Sequence, residues 1–144
     1  MQSPLARTFE ALSAINEAIL YAKSPDELYQ KVCDAGFSSG DFMAVAVFLA
    51  EPDGRRLRFA AGCGDDVARL RAIEITTVAG TPEGSGVGGE AFRTRKLCIS
   101  NDYLNDPRSL AWREGAANAH IGAAAALPLL CNGQSVGVLY VTRS

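Results

Sequence analysis

Gly84-Ser85-Gly86-Val87-Gly88-Gly89 is the stretch of this 144-residue chain that first invites a chemical reading. Its glycines fit the G-x-G-x-x-G spacing with which backbone amides at a helix start cradle a phosphate. A dinucleotide site also needs a full crossover helix and a second parallel strand. Here residues 90–96 alone separate the glycines from the next apolar segment, and no Lys-Ser or Lys-Thr follows as in a P-loop. The stretch therefore reads as a loop turning into a short helix, whose start at Gly88-Gly89-Glu90 is left open to an anionic ligand group. His120 is the single histidine. It could ligate haem iron, but it reads first as a hydrogen-bonded residue at a helix–strand junction, and haem is not expected. No nucleophile elbow accompanies it, so a Ser–His–Asp triad has no support.

Asp102, Asp106 and Glu114 are the carboxylates that could share acid–base work. Each has a simpler role: Asp106 caps a helix, Asp102 sits in an Asn-Asp turn, and Glu114 lies solvated beside Arg113. Tyr103 and Trp112 flank that capped helix, either as core or as the walls of a small-molecule pocket. Cysteines stand at 33, 63, 98 and 131 without a C-x-x-C pair. With one His they form no zinc set, and they read as reduced, mostly buried thiols of a cytoplasmic protein. Cys63, between Gly62 and Gly64, is expected to be exposed, and with Cys98 it is the candidate for a thiol-based redox role.

These residues need a scaffold. Leu5, Phe9, Leu12, Ile15 and Ile19 recur every three or four positions and predict a helix over 5–22. Ser24-Pro25-Asp26-Glu27 reads as the cap of a second helix ending at Gly36, with Leu28 and Val32 inward. Residues 42–50 form an apolar strand. Asp53-Gly54 predicts a type I′ turn into a strand carrying Leu57 and Phe59. Asn132-Gly133 predicts a second hairpin between residues 121–131 and 134–142. Ala123-Ala124-Ala125-Ala126 alone would favour helix, but Pro128 and the turn argue for strand. Two hairpins imply a mainly antiparallel sheet. Strands 42–50 and 136–141 are apolar at nearly every position, so both sheet faces should be covered. The N-terminal helices cover one face. Residues 73–120 supply an irregular cover for the other: a strand at 73–78, a helix at 87–95, a strand at 97–100 and the helix capped by Asp106. A loop-rich cover is where a cavity tends to form.

Composition excludes other classes. Lys and Arg total 14 against 16 Asp and Glu, a net charge of −2. No basic excess serves a nucleic-acid backbone, and no polybasic segment serves a membrane surface. No apolar run reaches the roughly 20 residues of a membrane span, and the start has no secretion signal.

Gly86-Val87-Gly88-Gly89-Glu90-Ala91-Phe92-Arg93-Thr94, Ser100-Asn101-Asp102, Asp106-Pro107-Arg108, Trp112-Arg113, Ala126-Leu127-Pro128-Leu129 and Gly137-Val138-Leu139 together resemble a GAF domain. More narrowly, they resemble those upstream of diguanylate cyclase or histidine kinase output domains in bacterial signalling proteins. The resemblance implies an α+β fold: one domain over 1–144, N-terminal helices at 5–36, and sheet and cover at 42–144. It implies a six-stranded antiparallel sheet with the helices on one face and a ligand cavity under short helices and loops on the other. It also implies a non-catalytic sensory role in bacterial, cyclic-di-GMP-type signalling. The partners implied are a small organic ligand, a second copy joined through the N-terminal helix, and an output domain in a longer chain or partner protein. Within it, Ile75, Ala91, Phe92, Asp102, Tyr103, Trp112 and Ala125 are the residues expected to bind ligand. Asp102 is the polar anchor and Phe92 and Trp112 the apolar walls. The Asn-Lys-Phe-Asp-Glu pattern of phosphodiesterase-type cyclic-nucleotide relatives is missing. Bilin attachment is not expected, because Ala119 rather than Cys precedes His120. Free methionine sulfoxide reductases share the fold and carry a cysteine where this chain has Gly88. The competing readings are a ligand-free dimerisation and relay module, and a thiol-based redox sensor or reductase.

Overall fold

A computed structural model describes residues 25–144. The predicted helix over 5–22, with its stripe, lies outside them, as does Ser24. Pro25 opens helix α1 (Pro25–Ser39), with Asp26 and Glu27 in the first turn where carboxylates favour the helix dipole. The helix passes Gly36 instead of ending there. Gly36 is buried, and a Cβ on it would lie 3.4 Å from Val45 Cγ1. That is ordinary van der Waals contact, so Gly36 is a buried helix residue packed on the sheet and not a helix stop.

Six strands form one antiparallel sheet in the order β3-β2-β1-β6-β5-β4. They are β1 (Ala44–Ala50), β2 (Arg56–Gly64), β3 (Ile75–Thr76), β4 (Cys98–Ser100), β5 (Ala123–Cys131) and β6 (Gln134–Arg143). The two hairpins differ in their turns. Asn132 and Gly133 have φ of 53° and 77°, the pair of positive angles that a type I′ turn needs. In the β1–β2 hairpin Gly54 has positive φ and Asp53 does not. Gly54 N donates to Glu51 O, so Pro52 and Asp53 make an ordinary β-turn closed by Gly54. Proline fixes φ negative and favours that turn over the predicted type I′. Pro128 lies past the end of β4, where β5 has a free edge that tolerates it.

Central strands β1 and β6 are buried on both faces, as their apolar sequences require. On one face α1 packs Val32 and Cys33 against Val45, Val47, Ala61 and Leu139. On the other, Ala44, Ala46, Phe48, Ala124, Ala126, Val138 and Tyr140 meet the cover. Phe48 stacks edge-on to Phe59 and Tyr140, with ring centroids 5.8 and 6.0 Å apart.

The cover consists of short pieces. Helix α2 (Val67–Ala72), which shows no sequence periodicity of useful length, inserts Leu70 into the core. A 3-10 turn (Pro82–Gly84) precedes α3 (Val87–Thr94), close to the predicted helix. Two 3-10 segments (Tyr103–Asn105 and Pro107–Trp112) lead into α4 (Arg113–Asn118). The strand expected over 73–78 contracts to Ile75–Thr76, because only these residues pair with β2.

Gly137 pairs with Leu49 on one side and Leu129 on the other. A Cβ there would overlap the Phe48 carbonyl oxygen, a backbone atom that cannot swing away. Gly137→Ala should therefore lower the unfolding free energy by about 2 kcal/mol. Urea denaturation checks this, and an unchanged midpoint would contradict the close approach.

Candidate functional site

The cover has few backbone ladder bonds, so side chains must hold it. Arg108 does most of this. Asp106 caps the 3-10 segment by accepting from the Arg108 amide at 2.9 Å. The guanidinium then turns back on the same carboxylate, Nη2 to Oδ2 at 2.7 Å. It also crosses to α3, donating from Nη1 to Glu90 Oε2 at 2.6 Å and to Cys98 Sγ at 3.0 Å. Nη2 reaches the Ile99 carbonyl at 3.0 Å. Ser100 Oγ donates to Asp106 Oδ2, and the Cys98 thiol donates to Glu90. One planar cation thus joins α3, β4 and the segment that follows β4, as a five-donor fork can.

The charges respond to this contact. Hydrogen bonds from Cys98 and Arg108 lower the Glu90 pKa. Arg108 holds the Asp106 carboxyl well below the usual carboxylate range, helped by Ser100. Burial, and then the bond to Glu90, push the Cys98 thiol up to about 11. It is therefore almost fully protonated near neutral pH and a poor nucleophile.

Side chains fill the space between sheet and cover. Tyr103, Tyr140, Leu70 and Ile121 are buried there. The two tyrosine hydroxyls are hydrogen-bonded, and burial raises both pKa values. A second ion pair lies alongside. Asp66, 5% exposed, accepts a two-point contact from Arg69 at 2.8 and 2.9 Å and a hydrogen bond from Thr142 at 3.3 Å, tying α2 to β6.

Two concavities open at the margins of the cover. The larger, about 480 Å³, has Trp112 as a wall, Arg69 and Ile73 beside it, and Glu74, Glu83 and Glu114 around it. Trp112 Nε1 donates to the Glu74 carbonyl at 3.1 Å, and its ring lies where a Cβ on Gly86 would be. Gly86 therefore gives the indole its seat. The second concavity, about 380 Å³, lies between α3 and the β5–β6 hairpin and is lined by Thr77, Phe92, Arg93, Arg95, Gln134 and Ser135.

The structure brings Ile75, Ala91 and Tyr103 into one buried cluster, with Phe92 and Trp112 packed against it. Phe92 and Trp112 each also border a concavity, but different ones. Asp102 is exposed and accepts from Asn105 Nδ2 at 3.0 Å, the local turn role that its sequence suggested. Ala125 pairs with Ile99 and Val141 and alternates away from Ala124 and Ala126, which face the cover. His120 is exposed at the junction of α4 and β5, with φ of 59°. Its amide donates to Ala117 O at 3.1 Å. Cys33 and Cys98 are buried and Cys131 is exposed. Cys63, expected in solvent, is half-buried against the α1 side of the sheet because β2 pairs with β1 there. Sequence reasoning missed Arg69, Glu90 and Arg108. Only the Asp106-Pro107-Arg108 cap hinted at the last.

The GAF domain family matches residues 22–144. No curated protein sequence matches the chain. Among solved structures, free methionine-R-sulfoxide reductase from Neisseria meningitidis in complex with its substrate superposes with a TM-score of 0.74 at 15% identity, over 99% of this chain and 75% of that one. The A. aeolicus nlh2 GAF domain in an inactive state gives 0.71 at 15% identity, over 96% and 82%. The GAF domain of an Acinetobacter phosphoenolpyruvate-protein phosphotransferase gives 0.70 at 12% identity, over 99% and 78%. Likeness at these identities establishes the fold, and function has to be argued from the site.

Glu90 and Asp106 have lowered pKa values in the folded chain. Their contribution to stability is complete above the unfolded carboxylate values, about 4, and is lost as pH falls through the lower folded ones. Asp106→Asn should cost about 1–3 kcal/mol at pH 7 and flatten the loss of stability between about pH 5 and about pH 2. Thermal unfolding across that range checks this, and parallel curves for both proteins would contradict it.

Proposed function

The chain belongs to the GAF domain family, a sensory and regulatory fold, and from that premise we propose that it is a non-catalytic sensor module that binds a small organic molecule. The ligand state is passed to an output domain of the diguanylate cyclase or histidine kinase kind in a cytoplasmic bacterial signalling protein. The observation that carries this reading is the Trp112 groove. An indole stands at the edge of a cover made of short segments, in a concavity of about 480 Å³, within the usual size for a small-molecule site. A ligand against Trp112 would press on Gly86 at the start of α3, and so on the helix that carries Glu90. No membrane-length apolar helix occurs among the described residues.

The non-catalytic part rests on the thiols. The reductase whose structure is similar suggests a redox alternative. In this chain burial and Glu90 hold Cys98 protonated, with a pKa of about 11, and Gly88 stands where the reductase resemblance implies a cysteine. Pairing of two copies through the Leu5, Phe9, Leu12, Ile15 and Ile19 stripe belongs to the same proposal.

Native mass spectrometry of freshly purified protein tests both parts. The expected result is a dimer carrying a small-molecule adduct that Trp112→Ala loses, because an aromatic wall supplies much of the contact area. Bare protein in every preparation would contradict ligand binding. Turnover of free methionine-R-sulfoxide would contradict the non-catalytic reading.

A further inference from the structure

The second concavity is lined by two arginines, Arg93 and Arg95, and by no carboxylate. The chain is acidic overall, at −2, and two of the half-buried arginines of the cover are spent on carboxylates. Arg69 pairs with Asp66, and Arg108 with Glu90 and Asp106. Arg93 and Arg95 differ. Arg93 Nη1 donates to the carbonyls of Gly84 at 2.6 Å and Thr77 at 3.2 Å. Arg95 Nη1 donates to the Gly133 carbonyl at 3.3 Å. Neither has a carboxylate ion pair among the described residues. Glu90, whose charge reaches Arg93 along α3, is itself held by Arg108. Neutral carbonyls orient the two forks without neutralising them, and each fork keeps N–H donors to spare.

Arg95 adds a second sign. It ends α3 in the left-handed region, at φ 59°. Glycine is the usual residue at such a helix end, and a larger side chain is strained there by about 1 kcal/mol. The strained position places a guanidinium on the β5–β6 hairpin beside Gln134. The half-buried ring of Phe92, which directly precedes Arg93 in sequence, lines the same groove. Ser135 Oγ fixes that turn of helix by donating to the Phe92 carbonyl at 2.7 Å.

The geometry points to an anion site in this groove that takes a phosphate monoester, its dianion between Arg93 and Arg95 and its organic group against Phe92. Two uncompensated guanidiniums match two negative charges better than the single charge of a carboxylate. The site is separate from the Trp112 groove, and it acts on the C-terminal end of α3 where that groove acts on the start.

The test is a titration of the ¹⁵N-labelled full chain at constant ionic strength with phenyl phosphate, inorganic phosphate and benzoate. Saturable amide shifts centred on Arg93, Arg95, Gly133 and Ser135 are expected, strongest for phenyl phosphate and weakest for benzoate. Arg95→Gly relieves the backbone while removing the guanidinium. It should unfold at the same or a higher temperature and bind phenyl phosphate about tenfold more weakly. Arg93→Gln should weaken binding similarly. Shifts that rise linearly without saturation, or saturable shifts centred on Trp112, would overturn the site. So would phenyl phosphate binding by Arg95→Gly that equals wild type. Any of these results leaves an adduct at the Trp112 groove as it was.

Discussion

The part of the cover built from α3, β4 and the 3-10 segments is fastened by one guanidinium. A cover of short helices and 3-10 turns has little of the repetitive backbone pairing that holds a helix pair or a strand ladder. Arg108 substitutes for it. Within one side chain's reach lie a helix carboxylate (Glu90), the thiol and carbonyl of an edge strand (Cys98 and Ile99) and the capping carboxylate (Asp106). The site is only partly screened from water, since the Arg108 side chain is 34% exposed and that of Asp106 14%. It is therefore a fastening that solvent can reach and that a bound molecule could loosen at modest energetic cost.

Beneath the fastening the packing is tight. Paired Tyr103 and Tyr140, with Leu70 and Ile121, fill the layer. Asp66 and Arg69 form a second ion pair against β6. The sheet and α1 are thus a firm platform, and the cover is a lid tied at a few polar points. Both concavities lie along α3, one at each end of the helix. Small movements of this two-turn helix would be felt at Glu90 and hence at the Arg108 network. In the proposed sensor role, this helix is the physical route from ligand to cover.

Much of this was legible in the sequence, and the parts that were not share a cause. The sheet was readable because its signals are local. Asn132-Gly133 admits the two positive φ angles of its turn, and the unbroken apolar runs of β1 and β6 demand cover on both faces. The Asp106 cap was readable for the same reason. Gly36 misled because a buried glycine within a helix looks, in sequence, like a glycine that ends one. Asp53-Gly54 misled because Pro52 shifts the turn type. The candidate site was legible as a region and not as a set. Trp112, Phe92 and Tyr103 all fall in the cover, but register decides that Ala125 faces away, and packing decides that Phe92 and Trp112 border different grooves. Arg108 was invisible as a hub because its partners Glu90 and Cys98 lie eighteen and ten residues away, beyond any short motif.

Hydrogen–deuterium exchange of wild type and Arg108→Met at neutral pH tests the central claim most directly. Methionine keeps much of the side-chain length and removes the charge and the donors. The account predicts faster exchange in α3, in β4 and over the 3-10 segments Tyr103–Asn105 and Pro107–Trp112, with β1 and β6 unchanged. Equal exchange in the two proteins, or a uniform rise that includes the central strands, would contradict it.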